Sequence, residues 1–455
     1  MHTFQDFEKL TSEFDRQQFL LATVTGFQSG EEYKNMIIAG KYFNSDNISV
    51  LDREKFTVKT LDREFTVSKQ IASSNFFFRL VTQQNQFLLA NGLQIDNDSE
   101  KNKLGLGFDT KLQEAGELAL VHGISWIFYN SDHVELIPAT QFIPLYDEFS
   151  SEPLAGINFW QLDETRPVYI RLFEIDGISW YKITKDSREP NKKNIELYKE
   201  KESYVKVVQN NILIDNKNYD NLFPVVSLKA NENAASELKT AIKTKIDMYD
   251  LVLSDFSDNL QKTNSIYWLI ENFNGDATDA DLLRAQIEDY KMIFTKDEGQ
   301  KASGEFMQVP YEARAVILEL LESGIYRDFM GLNMKEITGG ALTNVAIDTA
   351  KFNLVNKVNR YEYRVFETCQ KLLALAGIKT ENIRFRREFI ANKYETMQML
   401  YMCRADLDLT TALEKNPLVE MDEVSIILER IEEEETYNGG NEIPQIPDVE
   451  NAQNE

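Results

Sequence analysis

TGGALTNVAIDTAKFNLVNKVNRYEYRVFETCQKLLAL, residues 338–375, opens on a glycine pair and then continues to Ala376 with neither Gly nor Pro. Ile347, Ala350, Leu354, Val358, Tyr361 and Val365 recur at intervals of three and four, which is one face of an α-helix. At about 1.5 Å rise per residue that helix is a rod of roughly 50 Å. Gly377 follows where a left-handed cap belongs. The reading then turns on what precedes this rod and why two glycines sit at its foot.

Upstream, Leu238, Ile242, Ile246, Tyr249, Leu253, Phe256 and Leu260 form a second apolar stripe at the same spacing, so a long helix is expected over 231–262. Pro310 opens another helix as a first-turn proline, reaching to about residue 330. Between the two lies a small mixed insert, 263–309, with strand patterns in SIYWLIENF, KMIF and EFMQV and a helical pattern in ATDADLLRAQIEDY. The loop GLNMKEITGGALTN, 331–344, joins the second helix to the long one.

The segment 1–230 alternates helix and strand signals. Helices are expected at 4–21, at 68–90 with Gly92 as cap, and at 111–122 ending at Gly123. ISWIFYN and the run after Asn130-Ser131-Asp132 read as paired strands. INFWQLD, PVYIRLFEIDGISWYKIT with an Asp176-Gly177 turn, and SYVKVVQNNILID add further strands. A short echo, LDRE followed by FTV at Leu51 and Leu61, suggests a hairpin and nothing more. The fold class is α+β. Beyond the long helix, IRFRREFI reads as a strand and 392–406, 410–415 and 422–435 as helices. The tail 437–455 is polar, acidic and proline-punctuated, and disorder is expected there.

The 455 residues carry a net charge of -25, from 49 basic against 74 acidic side chains. A chain that wraps nucleic acid or an anionic membrane needs Lys and Arg to neutralise phosphates, so neither is expected of it. With 43% hydrophobic and 11% aromatic residues, sizeable cores are available. Two cysteines, Cys369 and Cys403, both in helical patterns, exclude a disulfide framework. The start MHTFQDFEKLTSEF has no basic stretch followed by an apolar core, and no long uncharged apolar run occurs, so neither secretion by signal peptide nor a membrane span is expected.

Catalytic chemistry finds little support. His2, His122 and His133 are the three histidines, one terminal, one at a helix end and one in a turn. There is no phosphate-cradling GxxxxGK[ST], no zinc spacing and no calcium loop, and LGLG at 104–107 lacks a dinucleotide-binding context. Asp255 and Asp258 read as solvated helix surface, and Met397, Met399 and Met402 as packing or interface filling. No catalytic residue, metal or cofactor is expected.

In order, these segments resemble the portal proteins of long-tailed bacteriophages that infect Gram-positive hosts, over roughly residues 30–435. The resemblance rests on three quoted blocks together with the long-helix stretch above. They are ELALVHGISWIFYNSDHVELIPATQFIPLYDE, SELKTAIKTKIDMYDLVLSDFSDNLQKTNSIYWLIENF and the acidic ALEKNPLVEMDEVSIILERIEEEE. It implies a wing at 1–230, stem helices at 231–262 and 310–330, a clip at 263–309 and a tunnel loop at 331–344. The long helix is then 345–377, a wing strand and crown helices occupy 378–436, and a tail 437–455. It implies a homo-oligomeric ring of about twelve subunits at one capsid vertex. Double-stranded DNA passes through the ring without sequence-specific binding. Partners are the terminase large subunit, head–tail adaptors, and the major capsid and scaffold proteins, with assembly in the host cytoplasm and final residence in the virion.

Channel-facing candidates on this resemblance are Lys335, Glu336, Thr338, Gly339 and Gly340 in the loop, and Lys239, Lys243 and Asp250 on the polar face of the stem. The glycine pair would let the loop change conformation at low steric cost. A ring carrying on the order of three hundred negative charges would repel DNA phosphates and let the strand slide. The alternatives are another multimeric virion connector or adaptor, or a metal-dependent hydrolase or nuclease, which a magnesium-dependent nuclease assay would separate from a passive channel.

Overall fold

The computed structural model describes residues 3–48, 56–60, 63–67, 72–185, 193–209, 212–217, 219, 222–263, 311–335, 344–380, 382–387, 393–403, 407–416, 418–419 and 421–438. The clip expected at 263–309 and the tail lie, for all but Thr263 and 437–438, outside the described residues. By its contacts the chain divides into two compact units. One joins Met1–Leu332 to Asn353–Glu388; the other joins Asn333–Phe352 to Phe389–Glu455.

The first unit begins with three helices where one was expected at 4–21: α1 (Phe4–Glu8), α2 (Glu13–Ser29) and α3 (Glu31–Phe43). The break after α1 is written in polar residues. Thr3 and Asp6 close a reciprocal capping box on α1, and Ser12 is extended, with Glu13 and Asp15 favouring a fresh N-terminus at α2. Gly30, also extended, separates α2 from α3.

Strands β1 (Phe56–Thr60) and β2 (Arg63–Val67) pair antiparallel, as the LDRE echo suggested. Helix α4 (Phe76–Leu89) starts later than expected, since 72–75 are not helical. It is followed by β3 (Leu93–Ile95), the single turn α5 (Asp98–Lys101) and α6 (Phe108–His122). Gly92, Gly123 and Gly377 all take left-handed φ values, of 65, 95 and 65°, at the caps expected of them.

Strand β4 (Ile124–Asn130) pairs with β5 (His133–Pro138) on one side and β13 (Val225–Lys229) on the other. As the central strand it is buried on both faces, which is why ISWIFY is an unbroken apolar run apart from Ser125. The Ser125 hydroxyl is satisfied by the Ala115 carbonyl of α6 at 2.7 Å.

A five-stranded antiparallel sheet follows: β6 (Phe142–Tyr146), β7 (Pro153–Trp160), β8 (Val168–Glu174), β9 (Gly177–Lys185) and β10 (Lys193–Glu202), in the order β10-β9-β8-β7-β6. Ile157, Phe159, Ile170, Leu172, Tyr181, Ile183 and Ile195 form one buried cluster with Phe7, Leu20 and Val24 of α1 and α2. Each such side chain, fully buried, contributes roughly 1.5–3 kcal/mol. A further hairpin joins β11 (Val205–Gln209) to β12 (Ile212–Lys217).

The other core of this unit gathers α4, α6, the β4 sheet and three long helices: α7 (Thr240–Thr263), α8 (Tyr311–Phe329) and α9 (Asn344–Leu375). On α9, Ile347, Leu354, Val358, Tyr361 and Val365 are buried, so the stripe read from sequence is the packed face. Strand β14 (Ile383–Phe385) returns to pair with β3. The second unit holds the N-terminal turns of α9 together with α10 (Lys393–Met402), α11 (Leu409–Glu414) and α12 (Met421–Asn438). Asp408 caps α11 by accepting the Thr411 N–H at 3.1 Å.

Candidate functional site

Helices α7 and α8 lie side by side and make the candidate site. Their base is built into the core. Ile242 and Ile246 of α7 and Ile325, Tyr326 and Phe329 of α8 are buried. Phe76 of α4 stands edge-on between Tyr249 and Tyr326, at 4.9 and 6.2 Å between ring centroids. Lys245 and Asp328 form an ion pair across the two helices.

Away from the base, α8 changes character. Val316, Ile317 and Leu320 are 54%, 45% and 67% exposed, and Ala313 is exposed one turn earlier. Positions i, i+3, i+4 and i+7 of a helix share one face, so these four residues present an apolar stripe uncovered in the single chain. Met248 of α7 is exposed as well.

The polar face of α7 is not the solvated face expected of it. Asp250 is fully buried, where it accepts the Ser74 N–H at 3.0 Å and a hydrogen bond from Asn47 Nδ2. Burial pushes its carboxyl above the usual range against these hydrogen bonds. One turn on, Ser254 Oγ takes the Ala72 N–H at 3.0 Å. One turn back, Asp247 accepts from the Tyr42 hydroxyl and pairs with Lys243 at 2.8 Å. Asp250 is therefore withdrawn as a channel-facing residue, and Lys243 is tied into the same seam. The spacing 243, 247, 250, 254 makes a polar stripe, but periodicity cannot tell a stripe facing water from one facing α3 and residues 72–75.

Lys239 precedes α7, with an exposed side chain 4.0 Å from Glu237. Lys335 is exposed beyond α8, its N–H donated to Asn333 Oδ1 at 3.1 Å. Glu336, Thr338, Gly339 and Gly340 lie outside the described residues.

Sequence reading overlooked a buried ion pair at the foot of the hairpin. Glu237, just before α7, meets Lys357 of α9 at 2.8 Å, and both side chains are almost wholly removed from water. Burial pulls the Lys357 ammonium down to about 8, with Glu237 acting in the opposite sense. For Glu237 burial acts to raise the carboxyl, but Lys357, Lys239 and the Asn231 amide outweigh it and the net shift is downward. A signal was present: Lys357 falls three residues after Leu354 and four before Tyr361, a lysine inside an apolar stripe. Among the described residues no group of three His, Cys, Asp or Glu side chains is placed to hold a metal ion, and no helix is long and apolar enough to cross a membrane.

A family model described as phage portal protein, SPP1 Gp6-like, matches residues 29–437. The portal protein of Clostridium phage phiCD119 is 32% identical over 131 residues, and the match spans 28% of this chain and 28% of that protein. Among solved structures, a chain from the virion of a native gene transfer agent particle aligns with a TM-score of 0.38 and 10% identity, covering 74% of this chain and 88% of that one.

Proposed function

The chain belongs to the SPP1 Gp6-like phage portal protein family, and on that premise we propose that it is the subunit of a portal ring through which DNA enters the capsid at packaging and leaves at ejection. The observation that carries this reading is the family match over 29–437, most of the chain. The ring docks a terminase, seats head–tail adaptors and contacts capsid and scaffold proteins. Its work is mechanical, without chemistry of its own. On this reading 1–230 is the wing, 231–262 and 310–330 are the stem helices, 263–309 the clip, 331–344 the tunnel loop, 345–377 the long helix and 378–436 the wing strand and crown.

Two physical features support it. The exposed stripe of Ala313, Val316, Ile317 and Leu320 is the kind of surface a neighbouring subunit covers. The charge of -25 suits a channel that must not grip phosphates. Lys335, Glu336, Thr338, Gly339 and Gly340 are the loop residues proposed to face the DNA, and Lys239 remains the exposed stem candidate.

The test is sedimentation and negative-stain microscopy of the purified chain, alone and co-expressed with capsid and scaffold proteins. Closed rings with a central hole are expected. A monomer under both conditions, absent from assembled heads, overturns the reading. With rings in hand, Gly339→Val with Gly340→Val should lower DNA packaging while leaving rings intact; normal packaging by that variant removes the loop from the mechanism.

A further inference from the structure

The chain leaves α8 through four residues that are held one by one. Lys357 Nζ donates to the Phe329 carbonyl at 2.9 Å and lies 3.2 Å from the centroid of the Phe329 ring, while its charge is met by Glu237. Met330 takes a left-handed φ of 63°. At Gly331 an added Cβ would come within 2.7 Å of Leu80 Cδ2 and 3.1 Å of Gln83 Oε1, so the backbone there lies directly on α4. Gln83 then grips Leu332 twice, accepting its N–H at 2.8 Å and donating Nε2–H to its carbonyl at 3.0 Å.

Ending a helix requires none of this. A left-handed residue satisfies part of the last turn and water can satisfy the rest. Here two side chains from two other helices each satisfy backbone groups within four residues, and one of them is a lysine whose burial must be offset by a buried glutamate. The effect is to fix where the backbone of Phe329 and Leu332 lies.

We propose that Gln83 and Lys357 are positioning residues that fix the point at which the chain leaves the α7–α8 hairpin. A force on the chain beyond Leu332 is then carried into α4 and α9 rather than unwinding the last turn of α8. The anchor itself stands on these contacts; its use during DNA passage rests on the portal reading.

Hydrogen exchange on the full chain tests it. The amides of Met330, Gly331 and Leu332 are bonded to the Arg327 and Tyr326 carbonyls and to Gln83. Losing one such bond and stranding its partner is worth about tenfold or more in local opening. Gln83→Leu is expected to speed exchange at these three amides by at least about that factor, with α9 unchanged. Lys357→Met is expected to do the same, with Lys357→Arg restoring most of the protection.

Unchanged exchange in Gln83→Leu overturns the proposal. Uniform acceleration through α4 and α9 also overturns it, since the residues would then be general core supports. Absence of rings under the microscope counts against the portal reading alone, because the exchange pattern does not depend on it.

Discussion

His122 closes α6 with its ring against Gly40 of α3 and its Nδ1 without a hydrogen-bond partner. Burial lowers its imidazole to about 4, from 6.5 in the unfolded chain. The folded state thus refuses a proton that the unfolded state accepts. Stability contributed by the neutral ring is complete above pH 6.5 and is lost as the pH falls from 6.5 toward 4. Between pH 7 and 5 the loss is about 2 kcal/mol. Urea unfolding of His122→Gln should show a correspondingly shallower decline over that range, and an unchanged acid dependence would place the sensitive group elsewhere. Sequence placed this histidine correctly at a helix end. It could not show the burial, because a helix C-terminus is as often solvated as packed.

Among the elements, what was legible depended on whether one face met water. The stripe on α9 and the buried run of β4 stood out because their apolar residues are contiguous on one surface. Strand β10, KNIELYKEKE, did not, because it is the sheet's edge strand, with Leu197 and Tyr198 exposed and charges along its length. Asp250 was misread for the converse reason: its partners Asn47 and Ser74 lie some two hundred and one hundred and eighty residues away, with |i−j| of 203 and 176. Close helix contact follows the same logic. Gly116 of α6 lets α4 and α9 approach, and an added Cβ would lie 2.2 Å from Asn85 Oδ1 and 2.7 Å from the Tyr361 hydroxyl. Gly116→Ala should lose roughly 1–3 kcal/mol through that overlap, exceeding the gain of about 1 kcal/mol in helix propensity. A urea midpoint equal to or above that of the native chain would show that the crossing has room to spare.

For the whole molecule the decisive balance is between charge and apolar surface. In the proposed ring each copy would bring a charge of -25, and like charges on neighbouring subunits would oppose closure. On the same proposal the uncovered stripe on α8 would pull the other way, and apolar burial is indifferent to salt to first order. The Debye length shrinks from roughly 14 Å at 0.05 M salt to about 4 Å at 0.5 M, so screening removes repulsion while leaving apolar burial in place. Rings should therefore form at lower protein concentration as NaCl rises across that range, measured by sedimentation velocity. Val316→Asp with Leu320→Asp should abolish rings at every salt concentration while leaving the circular dichroism of the subunit unchanged. Rings that dissociate on adding salt would mean that intersubunit ion pairs hold them, and rings that survive the double substitution would free the α8 stripe from any part in the interface.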